Sequence, residues 1–161
     1  MTIPANSICN KTGGPADPKW LKELDLAYDE TIKLLDELAA CGHDYKVLEC
    51  LVLRDSPEEP TWCGLSKTSG VVSMNPHKHE ARAIAHELGH GFEEVWRSKP
   101  GHREIGDPMC EAIRFFVEKR LGSDKRWKPR EDWTIVLDVC CHDLEKFKKE
   151  LDGKIAQLAR E

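Results

Sequence analysis

The stretch His86-Glu87-Leu88-Gly89-His90 decides how the rest of the chain is read. On an α-helix, two histidines four positions apart project from the same side about one turn from each other, so both imidazoles can reach one metal ion. Glu87 stands about 100° further round the helix from His86. There it can touch a water bound to that metal without being a ligand itself, which is the place a general base needs. Five residues thus offer two ligands and a base.

The same segment has the pattern of a helix packed on a core. Around Leu88, a turn of about 100° per residue gathers Ala81, Ile84, Ala85, Phe92, Val95 and Trp96 onto one apolar face. His86 and His90 fall on the opposite side, as a polar pair turned away from the stripe. Asn75-Pro76 reads as the stop of a preceding strand and the cap of this helix, which runs to about Arg97 or Ser98. Gly89 and Gly91 lie inside it, each costing about 1 kcal/mol relative to alanine, and imply that something approaches the helix backbone closely there.

Outward toward the N-terminus, Gly70-Val71-Val72-Ser73-Met74 reads as a strand, and Lys46 to Leu53, rich in Val, Leu and Cys, as another. Asp17-Pro18 supplies a capping residue and a proline at the first helical position. Leu21, Leu24, Ala27 or Tyr28, Ile32, Leu35 and Leu38 then follow at three-to-four spacing, ending near Gly42. Residues 1–16 have little to bury and read as a flexible arm. Outward toward the C-terminus, Asp107-Pro108 opens a helix through about Leu121, with Met109, Ile113, Phe116, Val117 and Leu121 on its buried face and Glu111, Phe115 and Glu118 on the other. A last, long helix is expected from near Glu131, where Trp133, Val136, Leu137, Cys140, Leu144, Phe147, Leu151, Ile155 and Leu158 keep the helical rhythm. The expected fold class is α+β: one domain over residues 17–161, with a small sheet (strands near 46–53 and 70–74) packed with these four helices.

Composition bounds what such a domain does. With 161 residues and 40% hydrophobic content the chain can bury one sizeable core. Its 24 basic and 29 acidic residues give a net charge of -5 without a basic block, so there is no footprint for nucleic acid. No signal peptide and no run of about 18 apolar residues is encoded, so the expectation is a soluble, cytoplasmic protein with no membrane partner. Seven cysteines, an odd number with no C-x-x-C pair, read as reduced, mostly buried thiols. Composition leaves the oligomeric state open.

A catalytic zinc usually keeps three protein ligands and leaves the fourth position to water, so one more donor is required. Glu94 and His79 lie on the histidine helix itself, and a pitch of about 5.4 Å prevents three consecutive turns of one straight helix from meeting at one ion. Glu111 is the best candidate, on the polar side of the next helix; Asp107, read as that helix's cap, is the second choice. The run Glu111-Ala112-Ile113-Arg114-Phe115-Phe116 resembles the glutamate helix of the gluzincin zinc metallopeptidases. The element order over residues 45–121 is similar to that of the minigluzincins and the ImmA/IrrE-type peptidases. Two departures stand out: Phe115 occupies the position where thermolysin-like gluzincins carry an aspartate, and the oxyanion-steadying residue has no motif, with His102, Tyr45 and His142 as candidates. The metzincin pattern is absent, since Glu93 and Trp96 stand where it needs glycine and histidine.

The resemblance implies one Zn²⁺ per chain on His86, His90 and Glu111, with Glu87 as general base in peptide-bond hydrolysis. It also implies an extended peptide or protein substrate paired with the strand Gly70–Met74. The motif fixes metal chemistry and not what enters the cleft, so a non-peptide small-molecule substrate and a weakly active or inactive binding module are the alternatives. Cys63, just before the expected substrate strand, is either a buried, inert thiol or a latency device that reaches the open metal position.

Overall fold

A computed structural model of the chain describes residues 3, 7–40, 42–55, 59–101, 104, 106–123 and 149. The expected C-terminal helix from Glu131, together with His102 and His142, lies outside the described residues. The elements in order are β1 (Ile8–Asn10), α1 (Pro18–Ala40), β2 (Val47–Leu53), β3 (Thr61–Cys63), β4 (Ser69–Met74), α2 (Ala83–Ser98) and α3 (Asp107–Arg120). The class is α+β, with three helices and a four-stranded mixed sheet among the described residues.

Helix α1 forms where the capping chemistry places it. Asp17 accepts the Lys19 N–H on its side chain at 3.0 Å and the Leu21 N–H on its carbonyl at 3.0 Å, with Pro18 in the first position, where no N–H is needed. Its C-terminus closes through Gly42, at φ 97°: the Gly42 N–H reaches the Ala39 carbonyl at 2.9 Å and the His43 N–H reaches Leu38 at 3.0 Å, the paired bonds of a Schellman end. Leu24, Ala27, Tyr28, Ile32, Leu35 and Leu38 make the buried stripe.

Strand order is β1-β2-β4-β3, with β2 parallel to both β1 and β4 and β3 antiparallel to β4. Two expectations change here. Residues 8–10, read from composition as part of a loose arm, pair with Leu51, Val52 and Leu53, and Ile3 is buried. Backbone hydrogen bonding to an already buried strand orders a segment whose own side chains bury little. The strand expected to meet a substrate, Gly70–Met74, is interior: β2 takes one of its edges and β3 the other. Its Gly70, Val72 and Met74 are buried while Ser69, Val71 and Ser73 are half-buried, so one sheet face carries the core. The Trp62 side chain lies across Gly70 and Gly91, joining β3 to α2.

Helix α2 begins later than Asn75-Pro76. Asn75, 2% exposed, closes a separate turn: its Oδ1 accepts the His77 N–H, its carbonyl accepts those of Lys78 and His79, and its own N–H donates to His79 Nδ1 at 2.8 Å. With its groups already engaged, the turn ends and the helix starts at Ala83, running to Ser98 as expected. Its apolar face meets β2, β3, β4, α1 and α3, with Leu88, Phe92 and Trp96 buried and Val95 only half-buried. Both glycines mark close approaches: a Cβ at Gly89 would stand 2.9 Å from Cys110 Cα, and one at Gly91 2.8 Å from the Lys46 carbonyl. Helix α3 opens at Asp107, as read, and buries Met109, Cys110, Ala112, Ile113, Phe116 and Val117.

Candidate metal centre

The crossing of α2 and α3 at Gly89 brings the first turn of α3 onto the histidine pair. On α2, the His86 and His90 rings lie 4.9 Å apart, centroid to centroid, at 75°. Asp107 Oδ1, from the start of α3, is 3.5 Å from His86 Nε2 and 3.4 Å from His90 Nε2. Glu111, one turn further along, puts Oε1 2.7 Å from His86 Nδ1. With the Nδ1 proton donated to Glu111, the His86 Nε2 lone pair is left facing Asp107. Cys110, between the two carboxylates in sequence, completes a group with His86 and His90 in which one ligand atom from each lies within 4.8 Å of the others.

These distances test the fit of a metal. Four donors about 2.0–2.1 Å from a zinc ion stand about 3.4 Å from one another along the edges of a tetrahedron. The Asp107 oxygen meets both Nε2 atoms at that spacing. Glu111 does not: it is at hydrogen-bonding distance, on the other nitrogen of His86. Imidazole, carboxylate and thiol are all donors zinc takes, and a carboxylate on the far nitrogen of a ligating histidine is its usual orienting partner.

The electrostatics follow from burial. Glu87 is 4% exposed and its Oε2 has no hydrogen-bond partner among the described residues. Desolvation pushes its carboxyl up to about 7, against the pull of His86 and with a further push from Asp107. Burial also works against charge on His86, but the Glu111 hydrogen bond and the charges of Glu87, Glu111 and Asp107 outweigh it, and its pKa rises. His90 goes the other way, lowered by burial and then by His86. Burial, with Glu93 and the nearby carboxylates, raises the Cys110 thiol.

The chain matches no family model, no curated protein and no solved structure.

Of the residues singled out from sequence, His86, Glu87, His90, Asp107 and Glu111 come together here. Cys63 does not belong to the group: it is exposed, on β3, and the thiol beside the histidines is Cys110. From sequence alone Cys110 reads as packing, because its position falls on the apolar face of α3. Tyr45 donates its hydroxyl to Asp36 at 2.6 Å, and burial, with this hydrogen bond, raises its pKa. Glu93, which carries no motif in the sequence, is 1% exposed, accepts the Gly106 N–H at 3.2 Å and lies 3.7 Å from Arg97.

Proposed function

We propose that this chain is a zinc-dependent hydrolase, a small metallopeptidase, in which His86, His90 and Asp107 hold the metal and Glu111 orients His86. The observation that carries the reading is the convergence of both Nε2 atoms on Asp107 Oδ1 beside a buried carboxylate, Glu87, one of whose oxygens has no partner among the described residues. Zinc in that position would acidify a water toward neutrality and polarise a carbonyl oxygen. This ligand set departs from the one implied by family resemblance, with Asp107 in place of Glu111, on the strength of the distances alone.

Glu87 does the proton work. Held in a desolvated setting, its carboxylate would take one proton from the attacking water and pass it to the leaving amine nitrogen as the C–N bond breaks. His86 and His90, with no buried proton donor required on Nε2, serve as ligands. For an extended peptide the sheet edge that lies against α2 is that of β3, at one end of the strand order, with Thr61 and Cys63 exposed and its other side paired to β4.

Glu87→Gln tests the reading. The variant should keep one zinc and its fold and lose at least about two orders of magnitude in peptide hydrolysis, because an amide cannot accept the proton. Unchanged turnover removes Glu87 as base; wild type that binds zinc and cleaves nothing in a diverse peptide library favours the non-peptide or binding readings.

A further inference from the structure

Cys110 belongs to the metal-ligating group but has no part in the hydrolytic reading of it. It is 0% exposed and stands on the first turn of α3 between Asp107 and Glu111. The helix crossing puts it there. Gly89 lies between the two histidines on α2, and a Cβ on it would come within 2.9 Å of Cys110 Cα and 3.2 Å of Cys110 Cβ, so the absent side chain is what admits Cys110 to the pair. The thiol makes a long contact, Sγ to the Gly106 carbonyl at 3.6 Å, at the weak end of hydrogen bonding.

A thiolate is the softest donor available here. Zinc takes sulfur at about 2.3 Å and imidazole nitrogen at about 2.0–2.1 Å, which in a tetrahedron sets sulfur and nitrogen about 3.5 Å apart. The 4.8 Å limit on the group is within about 1.3 Å of that spacing, a distance one side-chain rotation covers. Four protein ligands make a closed, structural zinc site; three leave a catalytic one open.

We propose that Cys110 is a metal ligand that regulates this centre: as thiolate it takes the fourth position beside His86, His90 and Asp107, and on release it leaves that position to water. The open form is the hydrolase proposed above, and to that extent the inference rests on it. Cys110 gives its S–H proton to solvent on ligation and takes one back on release. No electrons are transferred and no oxidant is required.

Zinc K-edge X-ray absorption on the full chain loaded with one equivalent of zinc reads the donor atoms directly. The expected result is one sulfur at about 2.3 Å with nitrogen and oxygen at about 2.0–2.1 Å in wild type and in C63S, and loss of the sulfur shell in C110S. Cobalt(II) in place of zinc should show a thiolate-to-cobalt charge-transfer band that C110S lacks, and C110S should hydrolyse peptide faster than wild type. A wild-type shell of nitrogen and oxygen alone overturns the proposal, whether or not C110S folds. Such a shell accompanied by peptide hydrolysis leaves the hydrolase reading intact. A sulfur shell with no hydrolysis by wild type or C110S overturns the alternation and the hydrolase reading together, leaving a closed structural centre.

Discussion

The Glu93 carboxylate, buried in the second half of α2, accepts a hydrogen bond at 3.2 Å from the backbone N–H of Gly106. Gly106 sits at φ 69°, a left-handed conformation that suits glycine, and the next residue is Asp107. The helix that carries the histidines therefore also fixes the residue that faces them from α3. Glu93→Ala should lower zinc affinity by about 10–100-fold with all ligands intact, the usual effect of losing a residue that orients a ligand. It should also cost about 1–3 kcal/mol in stability, since the Gly106 N–H loses its acceptor. Glu93→Gln, which retains a carbonyl oxygen, should recover most of the affinity. Chelator competition gives the affinities; equal binding by Glu93→Ala and wild type would reduce Glu93 to a packing role.

Asp107 and Glu111 separate by the size of the loss each causes. If Asp107 is a ligand and Glu111 orients His86, then Glu111→Gln should weaken zinc binding by about 10–100-fold and Asp107→Ala by more. Zinc affinities from competition with a chromophoric chelator decide between them. The reverse ranking would return Glu111 to the ligand set implied by the family resemblance.

How much of this was legible in the chain follows from which interactions are local. The placement of His86, Glu87 and His90 is set by spacing along one helix, and the ends of α1 by Asp17-Pro18 and Gly42, so sequence reaches them. The choice between Asp107 and Glu111 depends on the rotation of α3 against α2. That is fixed by the crossing at Gly89 and by the tie from Glu93, neither of which has a one-dimensional signature. The interior place of Gly70–Met74 depends likewise on β3: a short segment around Trp62 can be read from the sequence, but its pairing with Val71–Ser73 has no one-dimensional signature. Asn75 misled because a capping residue and a residue that closes an independent turn use the same side-chain chemistry.

Gly89→Ala should test the helix crossing itself. In an unconstrained helix the change would stabilise by about 1 kcal/mol. Here the new Cβ meets Cys110 Cα at 2.9 Å, and backbone cannot rotate out of the way. The expected outcome is a net loss of roughly 1–3 kcal/mol, the range for overpacking, together with weaker zinc binding as α3 shifts from the histidines. Thermal melts and zinc titrations on the same preparation check both. A stabilised variant with unaltered metal affinity would mean that the two helices can separate freely at this point.

The buried Glu87 makes the metal-free protein pH-sensitive in a definite direction. Its carboxyl titrates near its ordinary 4.5 in the unfolded chain and is raised to about 7 in the fold by desolvation. Below pH 4.5 it is protonated in both states and costs nothing. As pH rises from 4.5 to 7 the unfolded chain ionises first, so the native state binds more protons and stability falls. Above pH 7 both are ionised and the full desolvation cost, of order 3 kcal/mol, is present. Glu87→Gln carries no such charge. Measured in chelator by urea unfolding, the stability of Glu87→Gln relative to wild type should therefore grow across that window and level off above it, whereas a difference that does not vary with pH would mean that Glu87 is solvated in the metal-free fold.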